Sequence, residues 1–128
     1  VKAYACHCLN CQTRSGSAFA LHAMIPAETF TCDGATVTHV RKSSGMEITE
    51  VFCATCHTRI SNSNSLLAGM VFLQVGTLDI SDRIQPFAHI WTSRKQAWIA
   101  LPDGIAAFDQ SPSPEDFGAA LAAAPSAA

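Results

Sequence analysis

Short apolar and β-branched segments, separated by turns that contain glycine or proline, run along most of this chain. The segments predicted to be strands are residues 1–5, 18–25, 29–32, 35–41, 46–52, 66–75, 87–92 and 96–101. Turns are predicted at Asp33-Gly34, at Ser43-Ser44-Gly45 and at Pro102-Asp103-Gly104. The polar residues 59–65 are predicted to form a loop. Strands of this length and spacing predict an all-β sandwich or a partly open barrel.

One short helix is predicted near the C-terminus. Residues 115–124 are rich in alanine and contain leucine, both of which favour helix. Glu115 and Asp116 are acidic residues at the first turn, where the helix dipole favours negative charge. We therefore expect an otherwise all-β protein to end in one helix.

The composition predicts a single domain spanning residues 1–128. Hydrophobic residues make up 48% of the chain and charged residues 14%, which provides a core and excludes a disordered chain. The net charge of −2 argues against nucleic-acid binding, which normally needs a basic face. No apolar run reaches the ~18 residues that span a bilayer, and the start does not resemble a signal peptide. We expect a cytoplasmic protein with no membrane partner; its oligomeric state is not predicted.

Five of the six cysteines lie in two short motifs. The first motif is Cys6-His7-Cys8-Leu9-Asn10-Cys11, and the second is Cys53-Ala54-Thr55-Cys56. Thiolates at this spacing are typical ligands of zinc. The alternatives are disulfides or buried free thiols, although a Cys-x-Cys disulfide closes a strained ring. Thiols that serve as metal ligands also fit a reducing compartment.

The two motifs supply different numbers of ligands. Cys6, Cys8 and Cys11 make three, as in a catalytic zinc site that keeps one open position. Cys53 and Cys56 make two, which is half of a closed tetrahedral site. Either all five thiols share one or two sites, or residues absent from this chain complete the second pair.

These motifs and several later segments resemble the glutathione-dependent formaldehyde-activating enzyme family, which also includes centromere protein V. The matching segments are the first motif followed by Ser-Gly-Ser-Ala-Phe-Ala at 15–20, Phe-Cys-Ala-Thr-Cys at 52–56, Gly-Thr-Leu-Asp at 76–79, Pro86, His-Ile-Trp at 89–91, Trp98, Asp103-Gly104 and Phe108. The resemblance covers nearly the whole chain in order. It implies a β-tent fold, in which two layered antiparallel sheets are clamped by zinc.

The resemblance also implies two zinc sites with different roles. The catalytic zinc would be held by Cys6, Cys8 and Cys11. The structural zinc would be held by Cys53 and Cys56 together with an N-terminal Cys-x-Cys pair. This chain has no such pair, so we expect the domain to lack the N-terminal strand that carries it.

The sequence departs from the family pattern beside both motifs. Gln12 stands where a basic residue usually follows the third cysteine, and Arg14 lies two positions further on. His57 stands where a glycine usually follows the second motif. Two interpretations of His57 stay open: a left-handed turn residue with some strain, or a substitute zinc ligand.

The implied activity is that of a zinc-dependent carbon–sulfur lyase. A small thiol such as glutathione would fill the open position and ionise there, and its adduct with an aldehyde such as formaldehyde would form or split. Asp79 and His89 are the candidate catalytic residues, as proton carriers. Their alternatives are a turn-forming side chain for Asp79 and a half-buried strand residue for His89. The alternative function is a non-catalytic, zinc-stabilised module that binds glutathione or a protein.

Overall fold

Eight strands form one mixed sheet in the computed structural model of the protein, which describes residues 1–124. The strands are β1 (Ala3–Cys6), β2 (Ala20–Pro26), β3 (Thr36–Ser43), β4 (Met46–Cys53), β5 (Arg59–Asn64), β6 (Met70–Gln74), β7 (Pro86–Ile90) and β8 (Ala106–Ala107). Their order across the sheet is β3-β4-β5-β6-β2-β1-β7-β8. The two α-helices are α1 (Leu9–Ser15) and α2 (Pro114–Ala123). The expectation of a mostly β protein with a short C-terminal helix is confirmed. None of the described helices is long and apolar enough to cross a membrane.

The layering implied by the resemblance is not confirmed. Hydrogen bonds join all eight strands into one sheet, where two stacked sheets were expected. The sheet is also mixed, because β7 pairs in parallel with both β1 and β8. Two 3-10 turns, Val75–Thr77 and Ser81–Arg83, connect β6 to β7. They carry the chain back to the edge of the sheet where β1 begins, so that β7 runs parallel to β1.

Both cysteine motifs lie at the same edge of this sheet. Each neighbouring pair from β1 through β2, β6 and β5 to β4 is antiparallel. An even number of reversals leaves β1 and β4 running in the same direction. Cys6 ends β1 and Cys53 ends β4, so the two motifs begin at one edge.

Helix α2 begins one residue before the predicted helix and is held by aromatic packing. The Ser113 side chain caps it by accepting a hydrogen bond of 3.0 Å from the backbone N–H of Asp116. Phe117 packs edge-on against Tyr4 and Phe87, each with a ring-centroid distance of 5.4 Å. The helix therefore rests on β1 and β7.

Several predicted segments differ from the structure. Residues 59–64 form strand β5 instead of a loop, whereas residues 29–32 and 96–101 are not strands. Residues 66–69 are a turn, so only the second half of that apolar segment is a strand. The turn at 43–45 is confirmed, because Ser44 and Gly45 join β3 and β4 with φ of 50° and 76°, as in a type I′ hairpin.

The polar strand β5 is stabilised by its position between two other strands. It pairs with β4 on one side and β6 on the other, which satisfies its backbone polar groups. Ser61, at its centre, is buried. Propensity alone could not predict this strand, since neighbouring strands outweigh composition in a sheet.

Helix α1 was also missed, because a thiol caps it. Cys8 is the N-cap residue, and its Sγ accepts a hydrogen bond of 3.3 Å from the backbone N–H of Cys11. The usual N-cap residues are serine, threonine, aspartate and asparagine. Gly16 ends the helix in the left-handed conformation with φ of 63°.

Alternation along the central strands gives the sheet two different faces. The core lies on one face and consists of Ala3, Ala23, Leu73 and Val75, surrounded by Leu21, Ile25, Phe30, Val71, Leu78 and Ile84. The other face carries polar and aromatic side chains. There Tyr4 of β1 stands opposite His22 of β2, and His22 stands opposite Gln74 of β6. Cys6 lies two residues after Tyr4 in β1 and therefore on the same polar face.

A buried carboxylate on the polar face ties helix α1 to the sheet. The Glu50 side chain is fully buried and bonds the guanidinium groups of Arg14 from α1, Arg41 from β3 (3.1 Å) and Arg59 from β5 (3.0 Å). Burial by itself would raise the pKa of the Glu50 carboxyl. The hydrogen bonds from Arg14 and Arg59, with the charges of Arg14 and Arg41, outweigh burial and lower that pKa to about 2.

A β-bulge directs Arg59 to Glu50. Val51 pairs with Ser61 and Phe52 pairs with Arg59, which leaves Ile60 as an extra residue in β5. In a regularly paired strand, Arg59 would lie on the same face as Ser61, which is opposite the face of Glu50. The bulge is therefore what completes the group of three arginines.

We expect Glu50→Gln to lower the free energy of unfolding at neutral pH by on the order of 3 kcal/mol, because it leaves three guanidinium groups without their buried counter-charge. Since the folded-state pKa of about 2 lies below the ordinary 4.5, the carboxylate contributes fully above pH 4.5 and loses its contribution as the pH falls toward 2. Denaturant unfolding of both proteins at neutral pH and at about pH 3 should show the difference shrinking.

Glu47→Gln is the matched control, since Glu47 is exposed on the same strand. We expect it to change the free energy of unfolding by less than about 0.5 kcal/mol. An equal loss for Glu50→Gln at both pH values would show that shape, and not charge, explains its effect.

Candidate metal centre

Three thiol groups converge where β1 ends and α1 begins. Cys6 is the last residue of β1, Cys8 is the N-cap of α1 and Cys11 lies in its first turns. The three Sγ atoms all lie within 4.8 Å of one another. Cys6 is buried and the other two are half-buried. The strand and the capped helix therefore hold the thiols in one cluster.

The cluster suits a tetrahedral metal ion bound by thiolates. With a Zn–S bond of about 2.3 Å, sulfur ligands of a tetrahedral zinc lie about 3.8 Å apart. Thiols already within 4.8 Å of one another can reach that spacing with small rotations. Within residues 1–124, no fourth histidine, cysteine or carboxylate joins the group. The cluster can bind a metal through three ligands, and zinc as its identity stays a prediction.

The metal-free thiols share one negative charge. The hydrogen bond from Cys11 lowers the pKa of Cys6 to about 6, although burial opposes it. The pKa of Cys11 is raised because its thiol hydrogen-bonds Cys6, and burial raises it further. Burial also raises the pKa of Cys8. At neutral pH the cluster therefore holds one thiolate and two thiols, and a cation must displace the remaining protons.

The second motif forms a tight turn between β4 and β5. The backbone N–H of Cys53 donates to the carbonyl of Thr58, and that of His57 donates to the carbonyl of Cys53, both at 2.9 Å. Cys56 is exposed, with its Sγ 3.1 Å from Oγ1 of Thr58, and this hydrogen bond lowers its pKa. In the described part of the chain, no third ligand atom joins Cys53 and Cys56 in a compact group.

His57 adopts the left-handed conformation with φ of 62°. The turn interpretation of His57 is therefore confirmed at the backbone. Its side chain is exposed. Among residues 1–124 it does not complete a ligand group with Cys53 and Cys56.

The two predicted catalytic residues do not join the thiol cluster. Asp79 is exposed in the turn that follows β6. His89 is buried in β7, where it stands beside Ala5, on the face opposite Cys6. The assignment of Asp79 and His89 as catalytic residues stays a prediction.

His89 forms a buried pair with a histidine of the first motif. Its Nδ1 lies 2.9 Å from Nε2 of His7, which is fully buried. The other ring nitrogen of each has no hydrogen-bond partner among the described residues. Burial lowers the pKa of His7 to about 4 and lowers that of His89. His89 was a candidate residue in the sequence, whereas its partner His7 was not.

A row of polar side chains that was not predicted from the sequence lies beside the thiols. His22 Nε2 lies 3.8 Å from Cys11 Sγ, and His22 Nδ1 lies 3.3 Å from Nε2 of Gln74. The Oε1 atom of Gln74 accepts a hydrogen bond of 3.3 Å from Arg59. Burial, aided by the charge of Arg59, lowers the pKa of His22 to about 4. No signal in the sequence predicts this row, because it depends on the register of β2, β6 and β5.

Gln12, which replaces a basic residue of the family pattern, joins α1 to the segment after β7. Its Nε2 donates to the carbonyls of His7 at 2.8 Å and Arg94 at 2.9 Å. Its Oε1 accepts from Gln96 at 3.3 Å, and Gln96 accepts from the indole of Trp98 at 2.6 Å. Trp98 is 75% exposed. Gln12, Gln96 and Trp98 line a shallow groove beside α1.

Comparison with known protein families gives a match that covers most of the chain. The family described as glutathione-dependent formaldehyde-activating enzyme matches residues 1–94 of the 128-residue chain. The matched part contains the thiol cluster, the second cysteine motif and the Glu50 group. A search of curated proteins finds none that matches the chain.

We expect zinc binding at the cluster to release about two protons at neutral pH, because Cys8 and Cys11 are protonated in the metal-free protein while Cys6 is ionised. The zinc affinity should then rise about 100-fold per pH unit above pH 6, two protons being displaced per ion. Competition with a chromophoric chelator over a pH series measures this slope.

The Cys56→Ser variant isolates the cluster in this titration, since the second pair then lacks a ligand. Cys32→Ser is the control, because Cys32 is exposed and outside both motifs. A slope near zero would mean that the three thiols are not the ligands.

We expect His57→Gly to leave the zinc content unchanged and to raise the free energy of unfolding by about 0.5–1 kcal/mol, because glycine adopts the left-handed conformation without strain. Metal analysis and thermal unfolding measure the two quantities. His39→Gly, at an exposed strand position, should be destabilising instead. Loss of a zinc ion in His57→Gly would make the imidazole a ligand.

Proposed function

We propose, because the chain belongs to the glutathione-dependent formaldehyde-activating enzyme family, that it is a zinc-dependent carbon–sulfur lyase. Its substrate would be the adduct of a small thiol such as glutathione with an aldehyde such as formaldehyde. The observation that carries the proposal is the three-thiol cluster of Cys6, Cys8 and Cys11. Three protein ligands are the number that leaves a tetrahedral zinc open to a substrate.

The cluster provides binding and orientation. A bound zinc ion would supply the positive charge that keeps the substrate thiol ionised at neutral pH. Cys6 is fixed by β1, and Cys8 is fixed by the hydrogen bond that caps α1. Gln12 directly follows Cys11 and lines the groove that ends at the exposed Trp98. That groove offers room for the rest of the thiol molecule.

The reaction breaks the carbon–sulfur bond of a hemithioacetal. The electron pair of that bond stays on sulfur, the hydroxyl proton leaves, and the carbon–oxygen bond becomes the carbonyl of the aldehyde. The reverse path forms the adduct. A residue that accepts the hydroxyl proton would accelerate both directions.

Asp79 and His89 stay the proposed proton carriers. The exposed Asp79 can exchange protons with solvent. His89 hydrogen-bonds His7, which lies between two cysteines of the cluster. The variants Asp79→Asn and His89→Ala should each lower turnover and leave thiol binding intact.

The second cysteine pair is proposed to hold a structural zinc. Cys53 and Cys56 supply two of four ligands, and residues outside this chain would supply the others. All six cysteines are free thiols in the structure. Because such ligands need reducing conditions, we also propose a cytoplasmic location.

The second candidate function is a zinc-stabilised module that binds glutathione or a protein without turnover. The position of Asp79 and His89 outside the thiol cluster favours it. In that case the chain would hold a thiol or its adduct and release it unchanged.

We expect the zinc-loaded protein to bind glutathione in native mass spectra and to accelerate cleavage of the glutathione–formaldehyde adduct by roughly 100-fold, a typical gain from positioned proton transfer. Exchange spectroscopy by NMR measures the cleavage rate at equilibrium. Cys8→Ser should lose both effects, because it removes one ligand of the cluster. Cys32→Ser should keep both.

Each outcome separates the two functions. Binding without acceleration would select the binding module over the lyase. Absence of any thiol adduct at millimolar glutathione, with zinc present on the folded protein, would exclude the lyase and a glutathione-binding module and would favour a module that binds a protein.

A further inference from the structure

We propose that His22 is a positioning residue that donates a hydrogen bond to the thiolate of Cys11, and that Gln74 and Arg59 fix its direction. The three side chains form an unbroken row from Cys11 to the buried Glu50. The proposal rests on metal binding by the cluster, which is part of the proposed function, but not on lyase activity.

The direction of every hydrogen bond in the row follows from Arg59. A guanidinium group has only donors, so the atom of Gln74 that faces Arg59 must be its oxygen. The Gln74 amide nitrogen then faces His22 and donates to Nδ1, at 3.3 Å. A neutral imidazole that accepts at Nδ1 carries its proton on Nε2. That Nε2–H faces Cys11 Sγ at 3.8 Å, within reach of a sulfur acceptor.

Arg59 is itself held in place. Its Nη1 donates to Glu50 Oε2 at 3.0 Å, and its Nη2 donates to Gln74 at 3.3 Å. The side chain of Arg59 is 11% exposed. Glu50 is completely buried and is also bonded by Arg14 and Arg41. Rotation of Arg59 would break its ion pair with the buried Glu50 carboxylate and its hydrogen bond to Gln74, so the row has one stable orientation.

The ring of His22 has little freedom to turn. Its side chain is buried, and the ring lies 5.6 Å from Tyr4 and 6.4 Å edge-on from Phe72, measured between centroids. The aromatic neighbours hold the ring plane, and Gln74 selects which nitrogen carries the proton. Packing and hydrogen bonding thus act on the same side chain.

A donor beside a ligand thiolate changes the metal site. Three thiolates give a divalent ion a net negative environment, and a neutral N–H donor offsets part of that charge without adding a fourth ligand. Groups that hydrogen-bond metal ligands typically change metal affinity by about 10- to 100-fold. We expect His22 to strengthen metal binding and to leave the open position free.

The first test reads the proton position on His22 in the metal-free protein. Long-range proton–nitrogen NMR spectra distinguish the two neutral tautomers of histidine. We expect the Nε2–H form in the wild type and a mixture of both forms in Gln74→Leu, which removes the donor to Nδ1. An Nδ1–H form in the wild type would overturn the proposal, whatever the activity of the protein.

The second test measures zinc affinity by chelator competition. His22→Phe keeps the packing against Tyr4 and removes the donor, so its affinity should fall about 10- to 100-fold. His22→Gln places an amide N–H near the position of Nε2 and should restore much of the loss. His39→Phe is the matched control, because His39 is exposed on β3.

Cobalt substitution gives a readout that a general loss of stability would not produce. The thiolate-to-cobalt charge-transfer band should shift in His22→Phe and return toward its wild-type energy in His22→Gln. Circular dichroism checks that both variants fold. Unchanged affinity and an unchanged band in folded His22→Phe would overturn the proposal.

Discussion

The structure depends on one buried charge, the carboxylate of Glu50, and on the three arginines that surround it. An unpaired carboxylate at that depth would be strongly destabilising. Arg14, Arg41 and Arg59 come from α1, β3 and β5, so one side chain fixes the position of three elements. Through Arg14 it holds the helix that carries Cys11 against the sheet that carries Cys6. The geometry of the thiol cluster thus depends in part on an ion-pair group outside it.

The spacing of the cysteines in the sequence predicts the chemistry of the site, but it does not predict the helix and strands that hold the site. Spacing predicted the cluster of Cys6, Cys8 and Cys11, because close thiols have few other uses. Whether each segment forms a helix, a strand or a loop was harder to predict. The cap of α1 is a thiol, which no usual capping pattern includes. Strand β5 is polar and becomes a strand only between two partners. Strand spacing suggested a sandwich or a partly open barrel and the resemblance implied two layered sheets, whereas the strand pairing gives one sheet.

The residues around the cluster could not be predicted, because they meet only through strand register and a bulge. Gln74 reaches His22 since β2 and β6 pair with those residues opposite each other. Arg59 reaches Gln74 and Glu50 because Ile60 is an extra residue in its strand. Regular pairing of Ile60 with Phe52 would turn Arg59 to the other face. Sequence reasoning can identify such polar residues as unusual within a strand, but it cannot assign their partners.

The row from Glu50 to Cys11 also bears on how a zinc-bound thiol could react. Three cysteine thiolates would offset much of the positive charge of a bound zinc ion, which would weaken its effect on the ionisation of a substrate thiol. The proposed hydrogen bond from His22 Nε2–H to Cys11 Sγ would withdraw negative charge from one protein ligand. More of the positive charge of the ion then acts on the incoming thiol, whose ionisation becomes easier. A hydrogen-bond donor placed outside the ligand set can therefore make a three-thiolate centre suitable for a thiol substrate, which a closed four-cysteine site excludes.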